Sequence, residues 1–317
     1  MNHPQAPPTS AETARLPFRW SFLGPRYWLS WIMLALLRLL ILLPISWQLW
    51  FGRRLGYVAG QVARGRRRVV RINLQMCFPE HSQAERERLV NAHFEAIGAG
   101  LFETLLAWFA SDQRLLSRFE VEGLEHLQAA QDSGQGFLLL TGHFTTLEIG
   151  ARILCAQVRM PFHAMYRPYN NALFNYFMHH WRERQSRLPP FPRGDLRRSV
   201  RALRQGRAIW YAPDQTLDRR LSTFVPFFGV QTMTLTATAR LARMGRARVL
   251  PFFTERTERG WRLRFYPMME NFPGEDEAQD AERVNQVLES GIRQALPDYF
   301  WIHRRFKRRP EGESAVY

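Results

Sequence analysis

His143 and Glu148 are the residues of this chain best placed to do chemistry. They stand five positions apart in HFTTLE, directly after the apolar run GFLLLTG (136–142). A histidine whose ring meets a carboxylate is a general base in waiting. The carboxylate fixes the tautomer and raises the basicity of one nitrogen, leaving the other free to take a proton. Within one continuous helix a five-residue step turns a side chain by about 140°, so the two would not share a face. The pair therefore needs His143 in a strand-to-helix turn, its ring folded back over the first helical turn towards Glu148. There the following helix would also direct backbone N–H groups to the same spot, suited to a phosphate or a developing oxyanion. The spacing by itself is equally that of a hydrogen-bonded turn histidine. Its position at the end of a buried strand is what makes it a candidate.

Other routes to chemistry are missing. No G-x-S-x-G elbow, P-loop, G-x-G-x-x-G after a strand, or H-E-x-x-H is present. His179 and His180 fall on a helix beside Trp181 and Arg182 and are expected on a surface or in a groove rather than on a metal. Cys77 and Cys155 have no partner at metal-ligand spacing and read as buried free thiols of a reducing compartment. The enzyme reading is thus direct transfer to a substrate hydroxyl, with neither covalent intermediate, cofactor nor metal. Lys+Arg is 44 against Asp+Glu 28, a net charge of +16, and only one cation is a lysine, Lys307. The choice of arginine over lysine is most simply genomic base composition. The excess itself favours polyanionic partners: nucleic acid, anionic lipid, a phosphorylated substrate or an acidic carrier protein.

The elements that must position the pair read as alternating strands and helices. FEVEG (119–123), GFLLLTG (136–142), FHAMY (162–166) and RAIWYAP (207–213) read as strands. Helical patterns lie at 124–131, 145–157, 173–184, 195–206, 236–245 and 281–296. A hairpin is predicted across Thr257–Gly260, and Ser82 with Glu85 forms a capping box before a long helix. Such alternation predicts an α/β fold with a central mixed, largely parallel sheet flanked by helices, whose site collects at the carboxyl ends of the strands.

Residues 1 to 19 are Pro-rich and polar. From 27 to 51 the chain is apolar with one charge, Arg38, and Trp28, Trp31, Trp47 and Trp50 lie towards its two ends. Seventeen helical residues (27–43) reach about 25 Å, short of a hydrocarbon core of about 30 Å, so spanning needs the whole stretch kinked at Pro44. Seven arginines between 53 and 71 follow it, which by the positive-inside tendency keeps that flank cytoplasmic. The reading is an N-terminal tail and membrane-anchoring helix over 1–55 and a catalytic α/β domain over 56–317. A buried core helix is the plainer alternative.

From PRYWL (25–29) through RINLQMCFPE (71–80), FETLLAWF (102–109), GHFTTLEIGAR (142–152), YRPYNN (166–171), WYAPDQ (210–215) and FVPFFGV (224–230) to WIHRRFKRRPEG (301–312), the chain resembles the late acyltransferases of lipid A biosynthesis. The likeness is to the lauroyltransferase type, within the glycerolipid acyltransferases that carry an H-x4-D/E signature. It covers nearly the whole chain, with the stretches in order. It implies transfer of a fatty acyl chain, lauroyl by type, from acyl carrier protein to the 3-hydroxyl of an acyl chain on a Kdo-bearing, bisphosphorylated lipid A precursor. It also implies His143 as base and Glu148 as its orienting partner, on the cytoplasmic face of the bacterial inner membrane, in contact with membrane lipid.

Beside it, the residues suggest substrate contacts. Arg167, with Asn170 or Asn171, follows the FHAMY strand and could stabilise an oxyanion or hold a sugar phosphate. Asp214 follows WYAP either as a site residue or as a turn cap. Phe224, Phe227 and Phe228 would line an acyl groove or belong to the core. The TLDRR stretch (216–220) departs from the family's usual residues there, leaving that loop unassigned. An acyltransferase acting on glycerol phosphate or another glycolipid would want an F-P-E-G-x-R-type phosphate motif where WYAPDQ stands. A membrane-tethered nucleic-acid-binding protein would want a recognition helix or sheet aromatics, and the arginines are instead scattered.

Overall fold

A computed structural model describes residues 16–166, 170–215 and 221–317. In chain order its helices are α1 (Trp28–Leu40), α2 (Ile45–Val62), α3 (Arg64–Cys77), α4 (Gln83–Phe109), α5 (Asp112–Leu115), α6 (Leu124–Asp132), α7 (Leu147–Ile153), α8 (Ala172–Ser186), α9 (Leu196–Arg204), α10 (Ala237–Gly245) and α11 (Glu277–Gln294). Its strands are β1 (Phe119–Glu122), β2 (Phe137–Leu140), β3 (Phe162–Tyr166), β4 (Phe191–Pro192), β5 (Ala208–Tyr211), β6 (Ser222–Phe227), β7 (Val230–Leu235), β8 (Arg248–Arg256) and β9 (Trp261–Phe265).

Seven strands form one sheet in the order β1-β9-β8-β2-β5-β3-β4, and β6 and β7 form a separate hairpin. Every neighbouring pair in the sheet is parallel except β8 and β9, the hairpin expected from the sequence. Parallel central strands are buried on both faces, which is why β2 reads as an unbroken apolar run. Leu138 and Leu140 enter one core together with Ile209 and Val249. Phe137 and Leu139 enter the other with Ala208, Trp210 and Leu250. The β6–β7 hairpin, which the sequence pattern did not reveal as strands, turns through Phe228 (φ 49°) and Gly229 (φ 74°). It docks on α11, where the Phe228 N–H donates to Glu289 Oε1 at 2.7 Å and Asn285 Nδ2 donates to the Pro226 carbonyl at 2.7 Å.

The N-terminal segment read as a membrane-anchoring helix forms two helices. It divides into α1 and α2 at 41–44, and the division boundary drawn at residue 55 falls inside α2. Pro44 cannot continue α1, and the protein satisfies the freed carbonyls from within. The Arg114 guanidinium donates to the carbonyls of Ile41 and Leu43, and Gln48 Nε2 donates to the same two at 3.2 and 2.8 Å. No helix among the described residues is long and apolar enough to cross a membrane.

The two faces of α2 are unusual. Its buried side carries Gly52, Gly56 and Gly60, and α4 lies directly on it. A Cβ at Gly56 would stand 2.1 Å from the Phe94 carbonyl oxygen, and one at Gly98 of α4 would stand 1.9 Å from that of Gly52. The opposite side exposes Trp47, Phe51, Leu55, Val58 and Val62, and α1 exposes Leu29, Ile32, Leu36 and Leu39. Glycine inside and large apolar residues outside invert the arrangement of a water-facing helix.

Candidate active site

Two adjacent parallel strands deliver the reactive pair. In the β2–β5 register Leu140 lies opposite Tyr211. His143 is three residues past the one and Asp214 three residues past the other, so the equal overhangs set them side by side. Asp214 Oδ1 lies 2.5 Å from His143 Nδ1, and its Oδ2 accepts the His143 backbone N–H at 2.9 Å. With Nδ1 engaged, Nε2 is the nitrogen left for substrate, and the half-buried His143 ring lines a cavity of about 620 Å³.

The turn carrying His143 is clamped from behind. The Phe300 N–H donates to the His143 carbonyl at 2.9 Å, and the Thr145 N–H donates to the Asp298 carbonyl at 2.7 Å. Asp298 pairs with Arg256, which donates to Glu103 at 2.6 and 2.7 Å and to Thr145 Oγ1 at 3.1 Å. The N–H groups of His143, Thr145 and Leu147 all have acceptors inside the protein. Those three amides of the turn are therefore not free to meet charge on a substrate.

Glu148 is not on the histidine ring. Its carboxylate accepts from Trp108 Nε1 at 3.1 Å and from Arg182, so the partnership expected from the five-residue spacing is taken by Asp214 instead. The geometric reason is the one that made the spacing awkward: α7 begins only at Leu147, and Glu148 in its first turn looks towards α4 and α8. His143 and Glu148 nevertheless line the same cavity, with Arg182 and Arg193. Its apolar lining includes Leu147, Phe162, Met165, Trp210, Leu221 and Leu235, a surface suited to a hydrocarbon chain.

The electrostatics favour a charged pair. Burial works against the His143 imidazolium. The Asp214 charge and hydrogen bond more than offset it, with Arg193 opposing, and the net effect raises the pKa above its ordinary value. Burial would raise the Asp214 pKa, yet the charge and hydrogen bonds of His143 and the charge of Arg305 hold it down at about 2. Burial lowers His303 to about 4, so it stays neutral beside them near neutrality.

The remaining expected contacts are scattered. Arg167 and the TLDRR stretch lie outside the described residues. Asn171 caps α8, accepting the Phe174 N–H at 3.1 Å, and reaches Ser30 Oγ at 3.1 Å, while Asn170 is exposed beside it. Neither lines the cavity. Phe227 and Phe228 are core residues rather than groove residues, Phe227 lying under the Arg305 guanidinium at 5.0 Å. His179 is buried, 3.9 Å from Glu183, rather than at a surface. No group of three or more potential metal ligands exists among the described residues. Arg193 and Arg182 were not singled out in the sequence. Arg193 follows the two-residue strand β4, too short to leave a pattern, where its N–H donates to the Tyr166 carbonyl at 3.0 Å.

A largely parallel sheet here presents a carboxylate-paired histidine at the wall of an apolar cavity, an arrangement suited to proton transfer beside a lipid-like substrate. The model of the bacterial lipid A biosynthesis acyltransferases matches residues 15–308, and the chain belongs to that family of acyltransferase enzymes. It is 40% identical over 305 residues to the lipid A biosynthesis palmitoleoyltransferase of Escherichia coli K12, covering 95% of this chain and 98% of that one. With the lauroyltransferase of the same organism it shares 39% over 303 residues, at the same coverage. A lipid A biosynthesis acyltransferase of Haemophilus influenzae is 36% identical over 311 residues, covering 95% and 97%. Among solved structures, the 1-acyl-sn-glycerophosphate acyltransferase PlsC of Thermotoga maritima aligns over 72% of this chain and 94% of that one. Its TM-score is 0.37 and its identity 15%.

Proposed function

We propose that the enzyme moves a fatty acyl chain from acyl carrier protein to the 3-hydroxyl of an acyl chain on a Kdo-bearing lipid A precursor, with His143 as general base. The observation that carries this reading is the His143–Asp214 pair opening onto the apolar cavity. Asp214 fixes the proton on Nδ1, and Nε2 takes the proton of the acceptor hydroxyl. The oxygen attacks the thioester carbonyl, and the tetrahedral intermediate collapses with departure of the carrier thiolate. The imidazolium then returns its proton to that sulfur, so His143 ends as it began. Arg193, beside the base, supplies positive charge for the oxyanion or an acceptor phosphate. Glu148 holds Arg182, which lines the same cavity.

The exposed apolar stripes of α1 and α2 support attachment to the membrane by lying in its interface, on the cytoplasmic face where the carrier protein resides. Lauroyl is the chain proposed by type, and because the relatives named for palmitoleoyl and lauroyl transfer differ from this chain by nearly the same amount, the test must read the chain itself. Mass spectrometry of lipid A from cells lacking and overexpressing the protein should show loss and gain of one secondary acyl chain, whose mass names the donor. Unchanged lipid A in both strains would contradict the assignment.

A further inference from the structure

Where α2 ends, a second cavity of about 800 Å³ opens between the start of α3 and the C-terminal segment, lined by Val62, Arg64, Arg66, Val69 and Arg304. Its three guanidinium groups come from two distant parts of the chain. Arg66 Nη1 donates to the Ile302 carbonyl at 3.4 Å, tying α3 to the segment that carries Arg304. Arg304 lies over the Tyr317 ring at 5.8 Å. None of the three has a carboxylate partner among the described residues, whereas Arg67 and Arg71 of the same helix are both paired with Glu87. Three exposed arginines lining one cavity without a counter-ion make its local potential positive, which favours an anionic ligand.

The surroundings identify the kind of anion. Val62 belongs both to this cavity and to the exposed stripe Trp47, Phe51, Leu55, Val58 and Val62 on the face of α2 opposite its glycines. A ligand filling the cavity with its charge would find bare hydrocarbon leading directly away from it. A soluble phosphate would use only the arginines. We infer that the cavity is a headgroup site for an anionic phospholipid, its phosphate among Arg64, Arg66 and Arg304 and its acyl chains along α2. The inference rests on the reading that the α1–α2 face lies in the membrane, and it adds a charge selectivity that an apolar face alone would lack.

The test is flotation of the full-length protein with vesicles of phosphatidylcholine alone and of phosphatidylcholine and phosphatidylglycerol in equal parts. The wild type should bind both and prefer the second. Arg64→Gln, Arg66→Gln and Arg304→Gln combined should lower affinity for the anionic vesicles by about a hundredfold and leave binding to neutral vesicles intact. Arg197→Gln, Arg201→Gln and Arg204→Gln combined remove the same charge from the exposed face of α9 and should change the preference little. Equal loss in both triple variants would mean diffuse attraction and no site. A preference abolished by inorganic phosphate at matched ionic strength would make the cavity a free-anion site. A first variant that kept its vesicle preference but lost transfer from acyl carrier protein would assign the arginines to the donor. If the wild type floats with neither vesicle, the membrane reading fails as well. If it floats with both equally, only the headgroup site fails.

Discussion

Whether His143 takes a proton near neutrality depends on burial, which disfavours the imidazolium, and on Asp214, which favours it. Asp214 prevails, so the proposed base titrates above the ordinary histidine value of 6.5. Activity should therefore fall as pH drops through that raised pKa. Asp214→Asn removes the charge, which should move this limb to lower pH and cut the rate by about a hundredfold to ten-thousandfold. Glu148→Gln disturbs the Arg182 contact and leaves the ring's partner in place, so its acid limb should stay where the wild type has it. The pH dependence of kcat/KM for the two variants separates them, and a limb that moves with Glu148→Gln alone would return the orienting role to Glu148. His143 was legible in the sequence because a buried strand ends on it. Asp214 was legible as a candidate for the same reason, but its pairing with His143 was not, because that depends on which strands are neighbours. β2 and β5 are separated by β3, β4 and three helices in sequence and become adjacent only in the sheet. The signal was present all the same: FLLL and AIWY are each followed by two residues and then the site residue.

At the scale of elements, α2 is seated on α4 by close approach of backbones that only glycine allows. Gly56→Ala places a methyl group against the Phe94 carbonyl and should destabilise the protein by about 1–3 kcal/mol, lowering Tm by a few degrees. Val62→Ala on the exposed side should change stability by less than about 0.5 kcal/mol. Thermal melts of both in detergent check this, and an unchanged Tm for Gly56→Ala would mean that α2 is not held there. The strand–helix alternation and the β8–β9 hairpin were readable because each element carries its own periodicity. The division of 27–51 was not. Apolar content marks a stretch as buried in something, protein or lipid, without saying where it bends, and the stop at 41–44 depends on Arg114, distant in sequence. The four-residue spacing of Gly52, Gly56 and Gly60 was the sequence sign that one face of α2 meets another helix closely.

The whole molecule joins an apolar N-terminal face, a strong net positive charge and a cavity lined by His143, the proposed base. A net charge of +16 suits an acidic carrier and an anionic membrane together, which composition alone could not separate from nucleic acid. These features serve one claim: that His143 removes the proton from a lipid hydroxyl as it attacks a carrier-bound thioester. The most direct measurement is single-turnover transfer of a labelled acyl chain from acyl carrier protein to the Kdo-bearing lipid A precursor. Wild type and His143→Ala should be compared, each shown to be folded by its thermal melt. Wild type should transfer the chain, and His143→Ala should be slower by about two to four orders of magnitude. A folded His143→Ala protein that transfers at a near-normal rate would contradict that claim.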